Sequence, residues 1–64
     1  MQPHQERVLN KQMELEDNVH KLQKFLAGDI LPQLPEREQD RLREQLHYML
    51  GYNTVLKQRI EAFT

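Results

Sequence analysis

Three cations, a histidine, two tyrosines and an asparagine are the side chains of this sequence best suited to chemistry. His4, Arg7 and Lys11 lie at its start and Arg59 near its end; Tyr48, Tyr52 and Asn53 fall in the stretch HYMLGYNT. Arginine's planar fork matches phosphate oxygens. A tyrosine ring offers an apolar face on which a nucleobase stacks, and the same face suits packing between proteins. Such a set can hold a small anionic ligand; it has nothing with which to break a bond. The chain has no serine and no cysteine, and it shows no glycine-rich phosphate loop and no His-Glu zinc motif. His4, His20 and His47 are scattered, without His-x-x-x-His spacing, so no metal is expected. Neither an enzyme nor a cofactor is expected.

Sixty-four residues make one domain at most, and a chain this short buries only about 60% of the surface its unfolded form exposes. Small scaffolds need a staple. With disulfides and metals excluded, association remains. Nine basic residues against ten acidic ones give a net charge of −1, which argues against bulk binding to nucleic acid or to an anionic membrane. No apolar run approaches the roughly 18–20 residues of a membrane span, and MQPHQERVLN lacks the apolar core of a secretion leader. The expected setting is the cytoplasm.

Apolar spacing supplies the elements that position these residues. Val8, Leu15 and Leu22 repeat every seventh residue, with Val19 and Leu26 four after Leu15 and Leu22, the pattern of one helical face. A first helix is predicted from about 3 to 27, with Pro3 in its first turn and Gly28 as a left-handed cap. The segment GDILPQLP, 28–35, forms the turn, its Ile30, Leu31 and Leu34 folding over the end of the hairpin. A second helix runs from about 35 to 62, Pro35 at its first position. Its seam, Leu42, Leu46, Met49, Asn53, Leu56, Ile60 and Phe63, alternates steps of four and three. The fold class is all-α, an antiparallel two-helix hairpin that spans 1–64 as a single domain and assembles into an oligomeric bundle.

An antiparallel register that sets Leu15 against Met49 and Val8 against Leu56 brings Gln12 to Asn53. Asn53 is then either a registry hydrogen bond or a ligand contact. Gly51 costs the helix about 0.5–1 kcal/mol and lies off the seam, so another helix or a ligand should approach there. Tyr48, Leu50, Tyr52 and Val55 also lie off the seam, as do Leu9, Met13 and Phe25. That is more apolar surface than one partner helix covers, and further copies of the hairpin are the expected cover. Tyr48 and Tyr52 serve packing or base stacking. Antiparallel pairing also carries His4, Arg7 and Lys11 toward Lys57 and Arg59, a cluster suited to phosphate or to ion pairs with glutamates across an interface. The acidic runs ELED and EREQD read as solvated faces.

Over nearly the whole chain, PHQERVLN, LEDNVHKLQKFL, LPQLPEREQDRLREQL and HYMLGYNTVLKQRIEAF resemble a family of small phage-encoded helical-hairpin proteins, with members in crAss-like phages. Such members carry His-Gln-x-Arg-Val at the front and Tyr, Leu, Arg-Ile and Phe toward the end. The matching positions here are His4, Gln5, Arg7, Val8, Tyr52, Leu56, Arg59, Ile60 and Phe63. After the tyrosine the family usually has a small polar residue, often serine; Asn53 departs from that, so its role belongs to this sequence. In size and architecture alone the chain is also similar to phage sponge proteins that counter CBASS and Thoeris immunity by sequestering cyclic nucleotides or ADP-ribose derivatives without cleaving them. No motif carries a binding residue over from them, and fold does not imply function.

The resulting expectation is a phage anti-defence protein in the host cytoplasm that captures a cyclic nucleotide or ADP-ribose-type immune signal between chains. Tyr52 or Tyr48 would stack on the base, and Arg7, Arg59, Lys11 or His4 would meet phosphate, with Asn53 beside them. The alternative is an oligomeric protein-binding module that docks on a host or phage protein. A DNA adaptor is disfavoured by the balanced charge.

Overall fold

The computed structural model describes residues 1–63 and contains two long helices, α1 (Pro3–Leu26) and α2 (Glu36–Glu61), with a short 3-10 turn at Leu31–Gln33 between them. They pack along their length as a rod of 46 × 15 × 14 Å. The start of α1 is closed by its own side chains: Pro3 opens the helix, and the Gln2 N–H donates to Gln5 Oε1 at 2.9 Å. At its other end Ala27 is the cap, in right-handed geometry, and no described glycine has a positive φ. The expected left-handed cap at Gly28 is therefore corrected. Its N–H donates to the Phe25 carbonyl at 3.1 Å, a three-residue bond that tightens the last turn and satisfies the orphan carbonyl without reversing the backbone.

The turn is held by side-chain amides. Gln33 Nε2 donates to the Asp29 carbonyl at 3.1 Å and Gln39 Nε2 to the Leu34 carbonyl at 2.9 Å. Leu31 is buried and Leu34 half-buried, as expected, whereas Ile30 is exposed: the 3-10 turn starts one residue later and points Leu31 inward instead. Pro35 lies just ahead of α2 as its cap, its carbonyl accepting from Glu38 and Gln39 at 2.9 and 3.1 Å. Glu36 and Glu38 occupy the first turn, where the helix dipole favours negative charge.

The core follows the seams. Val8, Leu15, Val19 and Leu56 are buried, and Leu46, Met49, Ile60 and Phe63 pack against them. Every position of the α2 seam is buried or half-buried. The i, i+3 and i, i+4 ion pairs Lys21–Asp17, Arg41–Glu38 and Arg43–Asp40 lie on exposed faces, where each contributes little. No described helix is long and apolar enough to cross a membrane.

Candidate functional site

Where the seam turns polar, the two helices are joined by a closed hydrogen-bond network. Gln12 Nε2 donates to Asn53 Oδ1 at 3.2 Å and to Glu16 Oε2 at 2.6 Å, and Asn53 Nδ2 donates to the same Glu16 oxygen at 3.1 Å. Lys57 Nζ reaches that oxygen at 3.2 Å, and His20 Nε2 lies 3.9 Å from Glu16 Oε1. Asn53 is buried. Among the described residues no buried side-chain polar atom lacks a partner. The Asn53 amide, then Lys57, hold the Glu16 carboxyl below its usual 4.5; hydrogen bonds to the ionised form favour it. The predicted register, Gln12 facing Asn53, is the one observed. Within the chain Asn53 is spent on that registry contact.

Glu16 is the residue that sequence reading missed. ELED reads as a solvated run, yet Glu16 is half-buried and accepts three of the network's contacts. The cause is the backward lean of helical side chains toward their own N-terminus. In antiparallel helices Glu16 and Lys57 lean toward each other and meet at the level of Asn53, although their backbones are about two turns out of register. The signal available in the sequence is positional: Glu16 follows the seam residue Leu15 by one, as Lys57 follows Leu56. In an antiparallel pair, residues that follow a seam position by one share a flank.

The complementary rule sorts the expected site. Arg7 and Lys11 precede Val8 and Gln12 on the α1 seam by one, His4 lies three residues before Arg7, and Tyr48, Tyr52, Val55 and Arg59 each precede a seam position of α2. They therefore share the opposite flank. This corrects one juxtaposition: Lys57 does not join the cations at the hairpin's open end, because it lies across the seam and is paired with Glu16. Tyr48 and Tyr52 are 67% and 47% exposed, and His4, Arg7, Lys11 and Arg59 are exposed and make no ion pair or side-chain hydrogen bond among the described residues. Tyr48 has the His47 ring against its edge, centroids 5.5 Å apart. From Tyr52 to Arg59 is seven residues, about 10 Å along the axis, a span that an anionic nucleotide can bridge from base to phosphate.

The two flanks differ in shape. On the Glu16 side an open hollow of about 510 Å³ is lined by Gln12, Met13, Glu16, Asp17, His20 and Lys57. A second hollow, at the open end, is bounded by Met1, Gln2, Gln5 and Phe63. Neither includes a member of the cation–tyrosine set. Among the described residues no group of three metal-ligating side chains comes together.

No curated protein and no solved structure matches the chain. A family model described as Sequestin matches residues 2–62, which takes in both helices and the turn between them, and the chain belongs to the Sequestin family.

Proposed function

We propose that this protein captures a small anionic signalling nucleotide of an infected host, a cyclic nucleotide or ADP-ribose derivative, and holds it without cleaving it. The observation that carries the reading is the Tyr52 flank, where His4, Arg7, Lys11 and Arg59 are exposed and make no ion pair among the described residues, beside the exposed Tyr48 and Tyr52. Membership of a family named Sequestin is compatible with a sequestering role. In this reading Arg7, Arg59, Lys11 and His4 meet phosphate oxygens, Tyr52 or Tyr48 stacks on the base, and Asn53 keeps the two helices in register beneath them. The protein acts in the host cytoplasm as a phage anti-defence factor and performs no catalysis.

Calorimetric titration against cyclic di- and trinucleotides and cyclic ADP-ribose isomers tests it. One member of the panel should bind and be recovered chemically unchanged after heat denaturation of the protein. Silence across the panel removes the proposal. The exposed apolar face of α2 supports a second reading, a module that docks on a host or phage protein. Pull-down from infected cells separates the two, because capture of a nucleotide needs no foreign protein.

A further inference from the structure

The hollow on the Glu16 flank holds donors and acceptors that the fold leaves unused. Glu16 spends a single carboxylate oxygen on the network: its Oε2 accepts from Gln12, Asn53 and Lys57 at 2.6, 3.1 and 3.2 Å. Its Oε1 accepts no hydrogen bond among the described residues, and His20 Nε2 stands 3.9 Å from it, beyond hydrogen-bond reach. Asp17 lines the same hollow and meets Lys21 through Oδ2 at 2.9 Å, which leaves Oδ1 open. Lys57 gives one contact to Glu16 and keeps further N–H groups to donate. Met13, 60% exposed, adds an apolar wall. The ion pairs Glu16–Lys57 and Asp17–Lys21 cancel the local charge, so neither an anion nor a cation is drawn in by net charge. The space, about 510 Å³, falls within the roughly 300–1,000 Å³ of small-molecule sites.

We infer that this hollow binds a neutral guanine-type ring by its hydrogen-bonding edge, within one chain and apart from the Tyr52 flank. The order of groups selects the ring. Lys57 sits at the Oε2 end of the Glu16 carboxylate, and the free Oε1 lies at the other end, on the side of His20. Guanine presents a carbonyl, a ring N–H and an exocyclic amine in a row. The carbonyl accepts from Lys57, and the two donors turn to Glu16 Oε1 and Asp17, because carboxylates only accept. Adenine offers one donor on this edge, its amine, and hypoxanthine one, its ring N–H. Each would leave a carboxylate oxygen unmet. Uracil would turn a second carbonyl toward the carboxylates. Met13 lies against the ring face, where a thioether packs well on an aromatic system. The site uses none of the cations or tyrosines of the other flank, so it does not depend on phosphate being bound there.

Nucleosides test this without phosphate, so the opposite flank is not engaged through its cations. Guanosine, inosine and adenosine are titrated into the isotope-labelled full chain, and its backbone amides and the side-chain amides of Gln12 and Asn53 are followed by NMR. Guanosine should give saturable shifts centred on Gln12, Glu16, His20 and Lys57. Inosine and adenosine should bind about tenfold more weakly, the effect of one lost hydrogen bond to a charged acceptor. Lys57→Met removes the donor for the carbonyl, and Glu16→Gln replaces the acceptor while keeping an oxygen for the network. Each should weaken guanosine by about tenfold, with circular dichroism showing that the helices persist. If Glu16→Gln loses its helices, Asp17→Asn on the exposed rim takes its place and should weaken guanosine likewise. Absence of saturable shifts overturns the inference. So do equal affinities for the nucleosides, shifts centred on Tyr48 and Tyr52, or guanosine binding unchanged in the helical variants. A cyclic nucleotide that binds where guanosine is silent removes this site alone and leaves the capture reading standing.

Discussion

The inner and outer faces of α2 follow opposite rules within the same residues. Inward, Leu56 is 1% exposed and Asn53 has both ends of its amide engaged. One residue away, Val55 and Tyr52 are about half exposed, and Gly51 faces open space. The inner face is complete in one chain. The outer face has helix-packing spacing yet stays about half exposed, and Arg59 makes no ion pair among the described residues, whereas Lys57 across the seam is paired with Glu16.

The comparison breaks first at Leu56. Leu56→Ala removes the most enclosed side chain of the core and should cost about 2–5 kcal/mol, enough to unfold much of so small a domain. In dilute protein, Val55→Ala on the outer face should cost about 0.5 kcal/mol or less. Urea denaturation followed by circular dichroism measures both. Equal costs at low concentration would mean that Val55 is already enclosed within the chain and that the two faces do not differ. A Val55→Ala cost that grows with protein concentration sharpens the contrast, since it locates that residue's packing between copies.

Next comes the network. Asn53→Ala leaves the Gln12 amide and the Glu16 carboxylate without a shared partner and should cost about 1–3 kcal/mol. The paired change Gln12→Leu with Asn53→Leu should recover most of that loss, because an apolar pair of similar size packs without stranding a polar atom. What it removes is the penalty for sliding one helix past the other. Stability from urea titration and the sharpness of amide resonances in solution report the two effects separately. If Asn53→Ala is neutral, the hydrogen bonds at this level contribute nothing and the registry role fails.

How much of this was legible in the sequence depends on what each feature rests on. The hairpin and its register could be read because seams alternate at fixed steps and only one alignment sets Gln12 against Asn53. The core positions came with them. Glu16 escaped because charge runs at helical spacing are usually solvated, and its partners come from the lean of side chains between levels, which a residue-by-residue alignment ignores. Gly28 was misjudged for a different reason: a glycine after a helix suggests a left-handed cap, but a single 3-10 bond closes this one. Of the residues expected to cluster at the open end, Lys57 pairs with Glu16 instead, since being near the same end of the rod does not place two residues on the same side.

Gly51 gives a smaller effect with a useful sign. In a single chain, Gly51→Ala meets no obstacle and should stabilise α2 by about 0.5–1 kcal/mol. If a second helix crosses there, the added methyl group should also weaken association. Thermal unfolding at low concentration and sedimentation at high concentration should therefore move in opposite directions. A gain in both would show that the outer face of α2 has no close neighbour at Gly51.

The smallest effect belongs to Glu16, and its direction is fixed by linkage. Bonds from Asn53 and Lys57 lower the carboxyl's pKa in the folded chain below 4.5. The unfolded chain therefore takes up this proton first as pH falls. The contribution of the group to stability is present in full above about pH 4.5 and is lost progressively as pH drops through the lowered folded value. Glu16→Gln keeps an oxygen for Asn53 and Gln12 but cannot ionise, so its deficit against the unaltered protein should be greatest near neutrality and shrink in acid. Urea midpoints of both proteins at pH 7 and pH 3 give the double difference, in which carboxylates common to both chains cancel. The group is at the surface end of the network, with Lys57 and His20 beside it and water within reach, so the change should be modest. A deficit that stays constant with pH would place the Glu16 contribution in packing instead of charge, and the Glu16 flank would no longer be the side on which this molecule settles its charges.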